Sequence, residues 1–337
     1  MRIAIDVMGG DQDSAEIIAA GLRFASEFEQ VQIRFVGRQE SIQPHLSELN
    51  LASIANIDVL YADQVVEMSD RPSLALRQKK RSSMHLAIKQ VASNESDACV
   101  SSGNTGALMA IGRHLLRMIP GVDRPAIIKA IPSTKGRCYL LDLGANIGCD
   151  AENLVQFAAM GSILCQSIEG IAAPKVGLLN VGEEEIKGEA EVRIAADLLK
   201  EHDKINFIGF VEGDGIYQSE ADVIVCDGWV GNVALKTSEG LAKFVSQMIA
   251  EAFGENILTK AQGLVAYPVL EKLNQQLRPD NYNGAILLGL NGIVVKSHGR
   301  STIDGFYQAI CEAHKAIKQQ LPDVMKESIE DVLGSDL

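Results

Sequence analysis

An α/β fold organised on a mostly parallel sheet is what this chain predicts, and three observations carry the prediction. Short apolar runs alternate with segments of helical period over nearly the whole length, the signature of repeated β-α units. Hydrophobic residues make up 47% and charged residues 22% of the 337, enough for a substantial core and unlike a disordered or fibrous chain. No low-complexity linker or fixed-period repeat divides the pattern, so residues 1–337 read as one continuous domain.

In chain order, an apolar run at 3–6 leads to a helix-period segment at 15–28, and runs at 31–36 and 57–61 follow. A helix at 83–92 precedes a run at 98–101 and a second helix at 105–118. Runs at 126–131 and 139–143 come before the long helix 151–168. Run 176–180 leads into helix 189–199, runs 205–210 and 223–226 lead into helix 232–252, and a last helix covers 302–319. Between these last two, residues 253–273 are largely apolar with few charges, which suits contact with another subunit or a membrane interface.

The charge balance narrows the partners. With 44 acidic and 31 basic side chains the formal charge is -13, which argues against a general nucleic-acid binder because phosphate backbones need a basic surface. Against that background the stretch RPSLALRQKKRSSMH places Arg71, Arg77, Lys79, Lys80 and Arg81 together with no acidic residue among them, the pattern of a dock for an acidic partner. The six cysteines are far apart and form no CxxC pair, so they read as buried thiols in a reducing compartment. The N-terminus reaches Asp6 before an apolar signal core develops, and no stretch approaches a spanning helix. A cytoplasmic protein is expected, with surface attachment to a membrane left open.

Chemistry is expected at the punctuation. Five times an apolar run enters a loop rich in Gly, Asn, Ser or acidic residues: 101–106, 142–150, 180–189, 226–232 and 289–299. In an open parallel sheet such loops leave the carboxyl ends of the strands and converge on one crevice. In the first loop, Ser102, Gly103, Asn104, Thr105 and Gly106 combine close backbone approach with a helix start whose free N–H groups favour an anion. Gly144 and Asn146 lie in the second loop, Asp227 and Gly228 in the fourth. Lys187 stands among four glutamates, where it is either a surface ion pair or a cation beside a small anionic substrate. Asn232 follows Gly231 at an expected helix start, where its amide either caps the helix or donates to a carbonyl oxygen.

Walker, GxGxxG, GxSxG and HExxH motifs are all absent, and the six histidines are scattered. His298 alone sits in a site-like loop. Cys311 and His314, three apart, read as a packed thiol and a surface imidazole. No metal and no cofactor are expected.

The loops SSGNTGALMA, LLDLGAN, VGLLNVGEEEIKGE, DGWVGNVALKT and LLGLNGIVVKSHG, in this order, resemble those of bacterial phosphate acyltransferases of the PlsX type. The likeness runs from MGGD near the start to KSHG near the end. It departs where MGGDQDS lacks the usual His and Pro, where Trp229 replaces Phe, and where Ile147 and Gly148 replace an acidic residue after LGAN. The resemblance implies a three-layer α/β/α Rossmann-like fold related to phosphotransacetylases and isopropylmalate dehydrogenase-like enzymes. It implies transfer of a long-chain acyl group from acyl carrier protein to inorganic phosphate, giving acyl phosphate for phospholipid synthesis. It further implies a homodimer attached peripherally to the anionic inner face of the cell membrane, feeding a downstream glycerol-3-phosphate acyltransferase. On it, Lys187 and Asn232 are the catalytic residues, the glycine-rich loops bind phosphate, and the Arg71 to Arg81 stretch docks acyl carrier protein. Two other readings remain: a nicotinamide-dependent β-decarboxylating dehydrogenase, which would need a dinucleotide fingerprint and a carboxylate cluster, and a non-catalytic membrane-surface scaffold that binds acyl carrier protein.

Overall fold

The computed structural model describes residues 1–11, 13–47 and 56–334, so the Gln12 of MGGDQDS lies outside the described residues. Its strands are β1 (Arg2–Asp6), β2 (Gln32–Gly37), β3 (Ile57–Tyr61), β4 (Ala98–Ser101), β5 (Ala126–Ser133), β6 (Gly136–Leu141), β7 (Lys175–Leu179), β8 (Asn206–Val211), β9 (Val223–Val225), β10 (Ala285–Leu288) and β11 (Ile293–Lys296). They form one sheet in the order β3-β2-β1-β4-β11-β10-β5-β6-β9-β7-β8.

Strands buried on both faces explain the near-continuous apolar runs, because successive side chains point to opposite sides of the sheet. In β1, Ile3 and Ile5 enter one core and Ala4 the other; in β11, Ile293 and Val295 part in the same way from Val294. The first face is covered by α1 (Ser14–Glu27), α2 (Gln39–Ser47), α6 (Ala151–Glu169), α7 (Ala190–Lys200), α10 (Ile303–Lys318) and α11 (Leu321–Leu333), with Phe24, Phe157 and Phe306 fully buried. On the second lie α3 (Pro72–Gln78), α4 (Ser83–Ala92), α5 (Thr105–Leu116) and the start of α8 (Gly228–Gly254), with Met84, Ile88 and Leu108 at its centre. The three-layer α/β/α architecture is therefore as expected.

The sheet is not uniform in direction. β10 runs antiparallel to both β11 and β5, and β6 runs antiparallel to β5. Thus β6, β7, β8 and β9 point opposite to β1, β2, β3, β4 and β11. Residues 289–299 are expected as one loop, but 293–296 are a central strand, hairpin-linked to β10 through Gly289, Leu290, Asn291 and Gly292. An Asn-Gly pair flanked by apolar runs is a hairpin signal, so this element was within reach of pattern alone. Beyond its first turns α8 buries nothing, and α9 (Ile257–Leu277) returns along it as a hairpin. His314 also departs from expectation: it is buried, edge-on to Phe24 and Phe28 with centroids 5.5 and 4.9 Å away.

Candidate active site

The reversal of strand direction sorts the five loops into two groups. Those after β4 and β11 open at one end of the strands, and those after β6, β7 and β9 at the other. What brings the groups together is the shortness of the middle of the sheet: β4, β10 and β11 have four residues each, about 13 Å at the usual rise. Across that waist lies a groove of about 540 Å³, floored by Ile127 and Lys129 of β5, Ala285 of β10 and Lys296 of β11, and roofed by one face of α8. Thr105 and the Ser297 to Arg300 turn close one end, while Leu143 and Asn232 close the other. The 180–189 loop contributes no lining residue.

At the first end, two glycine-bearing loops pack backbone to backbone. Ser102 Oγ donates to the Gly9 carbonyl at 2.6 Å, and a side chain on Gly9 would meet Gly103 N at 2.5 Å. Gly10 has φ +83°, a conformation that suits glycine. Asn104 caps α5 by accepting from Ala107 N at 3.0 Å, and its amide donates to the carbonyls of Met68 and Asp70 at 2.9 and 3.0 Å. Of the loop residues proposed to meet substrate, Thr105 alone faces the groove; Ser102 and Gly103 are buried, Asn104 caps α5, and Gly106 packs against Pro72. Loop 101–106 is thus chiefly the frame for what lies beneath it.

Beneath it is Lys296, which the sequence reading did not single out. Its ammonium donates to the Ser102 carbonyl at 3.0 Å and to its neighbour Ser297, and no carboxylate of the described residues lies within ion-pair distance. Burial, and then the nearby Lys236, push its pKa down to about 8. His298 lies beside it, held by donation of its backbone N–H to Asn283 Oδ1 at 3.0 Å, and burial lowers its pKa, so it is neutral near pH 7. Lys129 and Glu239 form a nearly buried pair at 3.3 Å, with Lys236 on the other Glu239 oxygen at 2.8 Å. Burial alone would raise the Glu239 pKa, but the two lysines hold it below the usual carboxylate range. One carboxylate thus serves two lysines, while Lys296 has no direct ion pair among the described residues and feels the buried Asp6 carboxylate only at longer range, an arrangement suited to an anion.

At the other end, Asn232 is not the helix cap the sequence suggested. Asp227 is: its Oδ1 accepts from Trp229 N at 2.7 Å, and its Oδ2 accepts from Gly148 N and Cys149 N at 2.8 and 3.0 Å. This clamps loop 226–232 to loop 142–150. Gly228 must be small, since a side chain there would meet the Asn146 carbonyl at 2.2 Å. Asn146 is itself buried, donating to the Pro125 carbonyl at 2.8 Å and to Asp142 at 3.0 Å. These three residues therefore build the wall rather than line it. Asn232 stands one turn inside α8 against Gly144, facing the groove. Its amide meets no hydrogen-bond partner among the described residues.

Lys187 is half-exposed, 2.7 Å from Glu184 in its own turn, and folded back over Gly182. The Glu184 hydrogen bond raises its pKa, so it is a cation at neutral pH. The basic stretch packs on the start of α5, with Pro72 against Gly106, and the segment just before it reaches the groove at Met68. Within it, Lys79 is tied to Asp70 and to the Val65 carbonyl, and Arg81 to Asp63. Arg71, Arg77 and Lys80 are exposed and make no ion pair among the described residues. No group of three or more His, Cys, Asp or Glu placed to hold a metal occurs among the described residues.

Comparison with known proteins agrees with this fold and its chemistry. The family described as "Fatty acid synthesis protein" matches residues 1–324. The chain is 46% identical to a phosphate acyltransferase of Halorhodospira halophila over 99% of its length and 98% of that protein's. It is 47% identical to those of Pseudomonas putida and Legionella pneumophila, covering 98% and 100% of this chain and 98% of each relative. In fold it is similar to a phosphotransacetylase from Streptococcus pyogenes, with TM-score 0.62 and 17% identity over 95% of this chain and 94% of the other. The EutD phosphotransacetylase from Staphylococcus aureus aligns at TM-score 0.57 and 15% identity over 96% and 94%. The family match over residues 1–324, with 46 to 47% identity to phosphate acyltransferases over nearly the whole length, places this chain in the fatty acid synthesis protein family, as a phosphate acyltransferase of the PlsX type.

Proposed function

We propose that the enzyme transfers a long-chain acyl group from acyl carrier protein to inorganic phosphate, producing acyl phosphate for phospholipid synthesis. The observation that carries this reading is the buried Lys296 ammonium on the floor of the groove, without a direct ion pair among the described residues, under the framed start of α5. Phosphate is already ionised at neutral pH, so the reaction needs positioning and charge stabilisation more than a strong base. A phosphate oxygen adds to the thioester carbonyl, Asn232 donates to the developing oxyanion, and the C–S bond breaks. The proton carried by phosphate leaves with the thiolate, which balances the exchange. Lys296, with Lys236, holds the phosphate against the carbonyl. Lys187 does not line the groove; the catalytic role expected of it is that of a fixed cation rather than a base, because the Glu184 hydrogen bond raises its pKa.

Arg71, Arg77 and Lys80, exposed on and around the short helix α3, offer the acidic carrier a dock. The α8–α9 hairpin, with Leu264 and Val265 about four-fifths exposed, is the element assigned to the anionic inner face of the membrane and to pairing of two chains as a homodimer. Such a site at the membrane surface would hand acyl phosphate to a glycerol-3-phosphate acyltransferase. The test is formation of acyl phosphate from hexadecanoyl-acyl carrier protein and phosphate, followed by mass spectrometry. Asn232→Ala should lower kcat about 100-fold with little change in KM for phosphate, the size of losing one oxyanion donor. Turnover within twofold of the parent would remove Asn232 from the reaction.

A further inference from the structure

Resting on that reading, we propose that the apolar groove on the opposite flank of α8 from the phosphate groove holds the acyl chain of the substrate. Its walls are Ile131 and Pro132 of β5, Leu235 and Ala242 of α8, and the rings of Tyr217 and Tyr282. Its volume of about 570 Å³ lies within the usual range for small-molecule sites, and few charged groups face it.

Three observations select an acyl chain over other apolar occupants. The first is adjacency: Lys129, Leu235 and Glu239 line both grooves, so the two share a wall of these side chains beneath α8. The second is the change of character at that junction. On one side stand Lys296, Lys236 and His298; on the other, past the Lys129–Glu239 pair, the lining turns apolar. A ligand filling both has an anionic head and an apolar tail, the form of an acyl phosphate. The third is length and enclosure. From Lys129 to Thr134 the groove follows β5 for five residues, about 17 Å, toward the turn into β6. Its outer side is strapped by the hydrogen bond between Tyr217 and Ser238, and donation from Thr134 N to the Tyr217 carbonyl at 2.9 Å fixes that tyrosine to the strand. Helix periodicity explains how one helix serves both: Asn232, Lys236 and Lys243 face the phosphate side, Ser238 and Ala242 the apolar side, with Leu235 and Glu239 on the ridge between.

Two measurements test this. Binding of alkylphosphonates of increasing chain length to the unmodified protein, by calorimetry, should tighten about fourfold per added methylene until the groove is full. Affinity independent of chain length would overturn the proposal. Second, Ala242→Phe, with Ala242→Leu as the milder form, should lower kcat/KM for a hexadecanoyl donor about tenfold while leaving an octanoyl donor within about twofold. Equal effects on the two donors, or none, would also overturn it. If the unmodified enzyme forms no acyl phosphate from either donor, the proposed reaction fails, and the phosphonate series still decides whether the groove takes a chain.

Discussion

At neutral pH the Lys296 ammonium is protonated, yet burial and Lys236 hold its pKa near about 8, well below the ordinary lysine value of 10.5. Between those two values the unfolded chain binds a proton that the folded chain does not, so this group lends stability as pH rises through that window and opposes folding below it. Lys296→Met should therefore stabilise the protein at pH 7 by about 1 to 2 kcal/mol, a gain that shrinks above pH 8, as thermal melts at pH 7 and pH 9.5 would show. The same variant should raise KM for phosphate at least about tenfold and remove the weakening of phosphate binding above pH 8 that the parent should display. A parent and variant with the same pH profile would free Lys296 of that role. Nothing in KSHG marks this lysine in advance, because a lysine at the end of an apolar run looks the same whether it meets water or a groove. Asn232 was legible from its Gly-Asn setting, but the reason for its availability was not: Asp227 takes the capping position, which leaves the asparagine amide without a partner.

Among elements, the basic stretch shows what charge counting misses. Lys79 and Arg81 are held by Asp70 and Asp63, both outside the stretch in sequence, so only Arg71, Arg77 and Lys80 present uncommitted charge. Charge reversal at Arg77 and Lys80 should raise KM for the acyl carrier protein about tenfold and flatten its dependence on salt, with kcat little changed. An unaltered KM in steady-state assays would send the carrier elsewhere. Lys79→Glu should instead lower the melting temperature, since it places a second carboxylate beside Asp70. Most strands and long helices were readable because burial on both faces makes a strand an unbroken apolar run and a packed helix keeps its period. The two central strands escaped because their Gly- and Asn-rich hairpin turn reads with β11 as one loop, and their direction escaped because antiparallel pairing there is set by neighbours far away in sequence: Ile286 meets Ile128 on one side and Val295 on the other. That reversal is why the five loops do not open on one edge, although four of them still reach a common groove.

For the molecule as a whole, the hairpin of α8 and α9 carries exposed Phe244, Met248, Ile257 and Leu258 on a chain whose formal charge is -13. Leu264→Asp with Val265→Asp should reduce sedimentation with anionic vesicles at least about fivefold while leaving the mass at sedimentation equilibrium unchanged. A fall in mass with vesicle binding intact would give the tip to a second copy instead. No helix among the described residues is long and apolar enough to cross a membrane. The order of the strands has a further consequence, one that concerns synthesis. β4 and β5 are only 24 residues apart in the chain at their closest, yet they are joined solely through β10 and β11, which arrive after residue 284. A nascent chain leaving the ribosome must therefore keep two open sheet edges from pairing with anything else until about its last sixth emerges.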